Sequence, residues 1–217
     1  MCIRDSWNTA DSGSTDWFWM SRKGTSGYSD WSDNDNWYYS DNGSWQLIAR
    51  QVDSENFTDG YNETFSSNAK NTFLENDNDS SSSTFMSIGN LNKSYFADNG
   101  TYKFKLVCDG MQVDSLDNKS VTWTQTSWLD NSTITGFEEI SNSGIATTDT
   151  NVVPSSAQFK GLGLSDANTC VIDGNGGSAS WWNCVGAINL HTQSGSTGIP
   201  GPMLKVASSM HLYIWAP

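Results

Sequence analysis

The chain has few basic residues. Among its 217 residues, 11 are Lys or Arg and 24 are Asp or Glu, so the formal net charge at pH 7 is −13. No basic patch can be assembled from so few cations, and we therefore expect no nucleic-acid partner and no binding to an anionic membrane surface. The acidic excess favours solubility in salty water or cation binding by clustered Asp. A merely solvated acidic surface is the alternative.

Long apolar runs and patterns typical of catalytic sites are also missing. No run of about 18 apolar residues exists, which argues against membrane insertion as a helix. The two histidines, His191 and His211, stand in no Ser-His-Asp or Cys-His pattern. Glu138 and Glu139 are adjacent, and adjacent strand residues point to opposite faces, so this pair would not bracket one glycosidic bond. We therefore expect a protein that is not an enzyme.

Aromatic and small polar residues are what the chain has in quantity. Hydrophobic residues make up only 36%, but 11 Trp, 7 Tyr and 9 Phe partly compensate for this. Each large ring buries roughly 150–250 Å², so a packed core is feasible. Asn, Ser, Thr, Asp and Gly dominate the remainder, and no long stretch has the apolar repeat of an amphipathic helix. This composition predicts a β-rich α+β fold.

Alternating apolar and polar residues predict strands separated by polar loops. The predicted strands are Trp45–Val52, Tyr102–Cys108, Val121–Thr126 and Met210–Trp215. Asp109 and Gly110 predict a turn into a returning strand at Met111–Val113. Segments 53–84 and 141–158 are predicted to be loops because Ser, Thr, Asn and Asp dominate them.

Composition also divides the chain into three parts. Residues 1–6 resemble translated adapter sequence, and we expect them to be a non-native leader. Residues 7–44 are rich in Trp, Asp and Ser, which suits the end of a preceding module or an extended entry to the main domain. Residues 45–217 contain the predicted strands and are expected to form that domain.

The four cysteines differ in their surroundings. Cys2 lies in the leader, and Cys108 lies in a predicted strand as a small buried hydrophobe. Cys170 and Cys184 are the expected partners of a disulfide, which would restrict the unfolded chain by about 3 kcal/mol. An extracellular or particle-surface setting would keep such a bridge. A zinc site built from the four is disfavoured because no Cys-x-x-Cys or His pair accompanies them.

The segment from Cys170 to Cys184 is the most informative part of the chain. It reads CVIDGNGGSASWWNC, a Gly-rich turn followed by Trp181 and Trp182. A crosslink would hold two large rings beside an exposed polar loop, a geometry that suits recognition better than bond-making chemistry. One ring can stack on a sugar face, or both rings can fill the core beneath the loop. Asn183 is expected to bond sugar hydroxyls through its amide.

Other polar side chains near this segment are candidates for a site. Asp166 and Asn168 precede Cys170 and offer oxygen ligands of the kind that Ca²⁺ takes, although an Asx-turn is the alternative. Asp173 and Asn175 form a second candidate cation pair. His191 lies in the polar loop beyond the second cysteine and is a candidate for ligand contact.

Several segments resemble the fibrinogen C-terminal-like family, the recognition domain of ficolins, tachylectins and fibrinogen chains. The resemblance covers roughly residues 45–217 and is carried, in chain order, by Trp45–Gln51, Phe85–Leu91, Tyr102–Val107, Ser165–Cys170, Trp181–Cys184 and Ser208–Pro217. It implies a fibrinogen C-terminal-like domain with long irregular loops, a calcium site at Asp166 and Asn168, and noncatalytic ligand binding near the paired tryptophans. Val185 stands in this binding region where the family often has His, which weakens the case for acetyl-group recognition.

The sequence therefore predicts a noncatalytic, lectin-like domain that binds a glycan or an acetylated surface ligand. We expect it outside the cell or on a virion surface, as in an adhesin or a phage tail fibre from a marine source. We also expect a homo-oligomer such as a trimer, because weak sites gain strength through several copies. A structural surface protein without glycan binding and a secreted carbohydrate-active enzyme are the alternatives.

Overall fold

A computed structural model describes most of the predicted strands and part of the loops between them. The described residues are 37–40, 43–52, 55–57, 68–110, 119–145, 158–164, 170–174, 183–188, 198–202 and 206–217. They are 48% strand and 9% helix, which confirms a β-rich fold. No helix within these ranges has the length and apolar character needed to span a bilayer. The predicted leader and residues 7–36 lie outside the described residues.

A seven-stranded antiparallel sheet organises the domain. Its strands are β1 (Trp37–Ser40), β2 (Gly43–Val52), β3 (Thr84–Met86), β4 (Tyr102–Asp109), β5 (Lys119–Gln125), β6 (Glu138–Ser143) and β11 (Ser209–Ala216). Six of them are ordered β1-β2-β11-β4-β5-β6. Strand β3 also pairs with β2, further along that strand than β1 does. The last strand of the chain therefore lies between β2 and β4 at the centre of the sheet.

Four shorter strands form two further antiparallel pairs. Strand β7 (Gly163–Leu164) pairs with β8 (Ile172–Asp173), and β9 (Ile199–Pro200) pairs with β10 (Val206–Ala207). The helical elements are equally short. They are α1 (Asn68–Thr72) and two 3₁₀ turns, Ile88–Asn90 and Lys93–Tyr95.

The alternation predicted for β4 sorts its side chains onto the two faces of the sheet. Phe104, Leu106 and Cys108 are fully buried, whereas Lys103 and Lys105 between them are partly exposed. This is the pattern of a strand with one face on the core. Cys108 is thus a buried strand residue, as predicted, and burial raises the pKa of its thiol.

Loop residues complete the core on the same face of the sheet. The main apolar cluster joins side chains of the large sheet to residues from the segments that follow β5 and β6. These residues include Trp128, Leu129, Phe159, Leu162, Val171, Ile172 and Val185. Trp123 stacks on Phe104 with ring centroids 5.5 Å apart and meets Phe159 edge-on at 4.8 Å. The C-terminal loops are thus packed against the sheet by large rings.

Two segments that are predicted to be loops contain regular structure. Strand β6 includes Ser141–Ser143, which were predicted as loop; all six residues of β6 are exposed, so its polar composition suits an edge strand open to water. The predicted loop 53–84 contains α1, a helix too short to show periodicity in the sequence. The predicted strand Met111–Val113 lies outside the described residues.

Candidate functional site

The segments on either side of residues 175–182 pair with each other. We call them the loop base, defined as residues 170–174 and 183–188. The N–H of Val185 donates to the carbonyl of Ile172 (2.9 Å), and the N–H groups of Val171 and Ile172 donate to the carbonyl of Val185 (3.0 and 3.2 Å). β-Branched residues suit this extended pairing. The two ends of the 175–182 loop are therefore brought side by side.

A close approach between Gly174 and Asn183 marks the point where the loop leaves its base. A Cβ atom at Gly174 would lie 2.6 Å from Cβ of Asn183 and would clash with its backbone carbonyl. Asn183 has a φ of 63°, a left-handed conformation that Asn adopts more readily than most residues. Only glycine fits at position 174 without movement of the base.

One buried glutamine ties the loop base to the central sheet. Gln51 on β2 is fully buried, and its Oε1 accepts from the N–H of Gly186 at 2.9 Å. Its Nε2 donates to the carbonyls of Ala187 (2.9 Å) and Glu55 (2.7 Å). The side-chain amide thus satisfies backbone groups that have no strand partner, as a neighbouring strand would.

A second buried glutamine holds the preceding segment in the same way. Oε1 of Gln125 accepts from the N–H of Leu162 (3.1 Å) and from Nε1 of Trp123 (2.8 Å). Its Nε2 donates to the carbonyls of Leu162 (2.8 Å) and Ser127 (2.9 Å). Because Leu162 is directly followed by β7, which pairs with β8, this amide fixes the strand beside the loop base.

The two cysteines of the loop base are in contact. Cys170 and Cys184 are fully buried, and their Sγ atoms lie 2.8 Å apart. No disulfide bond joins them in this structure, since bonded sulfurs lie about 2.05 Å apart. The structure therefore brings the predicted partners together, and the bridge itself stays a prediction.

The environment of Cys184 keeps it protonated. Burial is the largest cause that raises the pKa of its thiol well above the usual range, and the nearby Cys170 and Asp173 raise it further. A backbone hydrogen bond from Gly174 acts in the opposite direction. A neutral thiol is a poor nucleophile, so Cys184 is unsuited to nucleophilic catalysis in this state.

Asp173 completes a three-residue group at the loop base. One of its carboxylate oxygens, Oδ1, lies 3.8 Å from Sγ of Cys184, and the donor atoms of Cys170, Asp173 and Cys184 all lie within 4.8 Å of one another. Thiolates select zinc or copper(I), whereas calcium takes oxygen ligands. This group therefore differs in chemistry from the calcium site predicted at Asp166 and Asn168.

The predicted ligand-binding residues fall into two sets. Asn183 and Val185 are described and each is only 1% exposed, so neither side chain is available to a glycan at the surface in this structure. The others, together with both predicted calcium ligands, lie outside the described residues; they are Trp181, Trp182, His191, Asp166 and Asn168. The structure places the base of the predicted site but not the loop itself.

Two other residues singled out in the sequence are described. Glu138 and Glu139 occupy consecutive positions of the edge strand β6, opposite Thr124 and Trp123, and both are exposed. His211 on β11 is partly buried and lies 3.9 Å from Asp109.

The contribution of Gln51 to the loop base was not predicted. It lies 119 positions before Cys170 in the chain, and nothing local distinguishes it from other glutamines. Its fully buried position on β2 is what identifies the role. The position of a polar residue on the core side of a strand is the one signal that could have suggested it.

Comparison with known proteins identifies no family for this chain. No protein-family model matches it, and the search of curated proteins found no match. Any function must therefore be argued from the chain's own residues.

Proposed function

We propose that this protein is a noncatalytic, lectin-like surface-recognition domain that binds carbohydrate through the loop of residues 175–182. In this proposal a ring of Trp181 or Trp182 stacks on the face of a sugar, and polar groups of the loop bond its hydroxyls. The domain has a fibrinogen C-terminal-like fold. Asn183 and Val185 have buried side chains and belong to the loop base, so the ligand contacts in this proposal come from other residues.

The fixed loop base is the observation that carries this proposal. Val185 pairs with Ile172, Gly174 packs on Asn183, and Gln51 ties the following segment to the sheet. These contacts hold the ends of a short polar loop together before any ligand arrives. A preorganised loop loses less conformational entropy on binding, which favours recognition of a weakly bound polar ligand.

The order of the strands brings together segments on which the family resemblance depends. Three segments on which the family resemblance depends lie on neighbouring strands, because Trp45–Gln51 is on β2, Ser209–Ala216 forms β11 and Tyr102–Val107 is on β4. Segments far apart in the chain thus form one continuous part of the sheet. This arrangement is expected if they belong to a single domain.

Several properties follow from the proposal. Binding at one site is weak, so the domain acts as a homo-oligomer, for example a trimer on a fibre. An extracellular or virion-surface location keeps the Cys170–Cys184 pair oxidised. A calcium ion held by Asp166 and Asn168, with backbone and water oxygens, stiffens the approach to the loop.

Binding to a glycan array tests the proposal. Wild-type protein displayed on a multivalent carrier should bind a defined set of glycans, and Trp181→Ala or Trp182→Ala should reduce that binding at least about tenfold, since stacked aromatic contacts supply much of the affinity of such sites. Tyr95→Ala is the control, because Tyr95 is an exposed aromatic residue on the 3₁₀ turn Lys93–Tyr95, remote in sequence from the loop.

The outcomes separate the alternatives. Binding that survives both Trp substitutions would place the site elsewhere and contradict the proposal. An absence of binding at high valency would favour a structural surface protein. Release of products from a labelled polysaccharide would instead indicate an enzyme. Repeating the array with a chelator tests the proposed calcium ion separately.

A further inference from the structure

The loop base carries metal-binding chemistry that the recognition proposal does not use. The three donor groups of Cys170, Asp173 and Cys184 lie within 4.8 Å of one another in the loop base. We propose that, in the reduced protein, these side chains bind one thiophilic divalent cation of the Zn²⁺ type. The same two sulfurs form a disulfide when the protein is oxidised, so metal and disulfide are alternative states of the pair.

The distances fit a small tetrahedral site after a modest adjustment. Two sulfurs bound at about 2.3 Å to one tetrahedral zinc lie about 3.8 Å apart. The sulfurs here are 2.8 Å apart, so the side chains need to separate by roughly 1 Å, a movement that rotation about χ1 provides. The distance of 3.8 Å from Sγ of Cys184 to Oδ1 of Asp173 is already close to that required.

A second buried polar atom supports the assignment. Oδ1 of Asn183 is buried and has no hydrogen-bond partner among the described residues, although a buried carbonyl of this kind is normally satisfied. Asn183 precedes Cys184, and its Cβ lies against Gly174, the residue after Asp173. The loop base thus contains an unsatisfied buried oxygen on the residue next to Cys184.

Backbone hydrogen bonds hold the loop base in place whether or not a metal is bound. The Ile172–Val185 pairing fixes the backbone on both sides of the three ligands. A metal held here would keep the loop ends together where reducing conditions prevent a disulfide.

The two states interconvert by a balanced reaction. Oxidation of the metal-bound pair breaks both metal–sulfur bonds, releases the cation, removes one electron from each thiolate and forms the bond between the two sulfurs. A small-molecule disulfide such as oxidised glutathione accepts the two electrons, takes two protons from water and leaves as two thiols. Because bonded sulfurs are no longer thiolate ligands, the oxidised protein should not bind the cation at this position.

Cobalt(II) titration of the full chain tests the proposal without any glycan. Metal-free, reduced protein should bind one Co²⁺ with the charge-transfer and d–d absorption of tetrahedral thiolate cobalt, and Zn²⁺ should displace it. Cys184→Ala should abolish the charge-transfer band. Asp173→Asn should weaken binding at least about tenfold, because losing even an outer partner typically costs 10–100-fold.

Matched controls use the same protein. Cys2→Ala and Cys108→Ala should leave the titration unchanged. Wild type oxidised with glutathione disulfide should give no charge-transfer band; this keeps the test informative even if a variant fails to fold.

Three results would overturn the proposal: no thiolate–cobalt absorption in reduced wild type, equal binding by oxidised protein, or unchanged affinity in a folded Asp173→Asn variant. Because the readout is metal absorption alone, this proposal can fail while glycan recognition stands, and the reverse holds as well.

Discussion

Replacement of Gln51 by leucine should loosen the loop base and destabilise the whole domain. Leucine has similar volume but leaves the N–H of Gly186 and the carbonyl of Ala187 without partners. Each buried, unsatisfied backbone group costs about 1–3 kcal/mol. The carbonyl of Glu55 also loses its bond, but Glu55 is exposed and water can replace the amide there.

The free energy of unfolding should fall by about 2–4 kcal/mol. The fall is smaller than the sum for two unsatisfied groups, because leucine has no polar amide to bury. With a urea dependence of about 2 kcal/mol per molar, the unfolding midpoint should fall by about 1–2 M. Intrinsic Trp fluorescence during urea titration measures this shift. Limited proteolysis should also become faster between residues 175 and 182 in the folded variant.

Gln46→Leu is the matched control for this change. Gln46 lies on the same strand as Gln51. Gln46 pairs with Ile214 and Gln51 pairs with Met210, so the two glutamines lie on the same face of the sheet. It is also buried, at 5% exposed, and its side chain forms no hydrogen bond with another residue of the described ranges. If Gln51→Leu unfolds at the wild-type midpoint, or if both variants shift equally, the argument for Gln51 as the tie to the loop base is refuted.

Three further predictions address other parts of the structure. Gly174→Ala should lower the free energy of unfolding by about 1–3 kcal/mol through overpacking against Asn183, and an unchanged urea midpoint would show that the base yields freely. Gln125→Leu should lower it by about 2–4 kcal/mol, since the N–H and carbonyl of buried Leu162 lose their partners; calorimetry that finds no loss would contradict the role assigned to this amide. The pKa of His211 is lowered chiefly by burial and also by Arg50, against the opposing effect of Asp109. The folded state therefore favours the neutral ring. The stability that His211 contributes is fully present above the pKa of the unfolded state, 6.5, and is lost as the pH falls through the lower pKa of the folded state. Urea midpoints measured from pH 7.5 to pH 5 should fall less in His211→Gln than in wild type, and parallel curves would contradict this.

The strands could be predicted from the sequence because their alternation is local. Tyr102–Cys108 alternates Lys with large apolar residues, and the structure places a strand there with the apolar set buried. The polar strand β6 could not be predicted, since an edge strand exposed on both faces has no apolar face to mark its period. The pairing of β2 with β11 joins residues about 160 positions apart and likewise has no local signal.

The candidate site was predictable only in its cysteines. Their spacing and the Gly-rich segment between them indicated a closed loop, and the structure brings Cys170 and Cys184 into contact. The burial of Asn183 could not be foreseen, because it depends on the packing of the assembled loop base, in which Gly174 lies against Asn183. The role of Gln51 depends on the sheet being assembled first.

Mass-spectrometric mapping of the crosslinks in protein produced under oxidising conditions tests the central claim most directly. That claim is that Cys170 and Cys184 close the base of the 175–182 loop. We predict one disulfide-linked peptide pair that joins Cys170 to Cys184, with the buried Cys108 unlinked. Protein in which Cys170 and Cys184 remain as thiols, or are joined to other cysteines, would contradict the account.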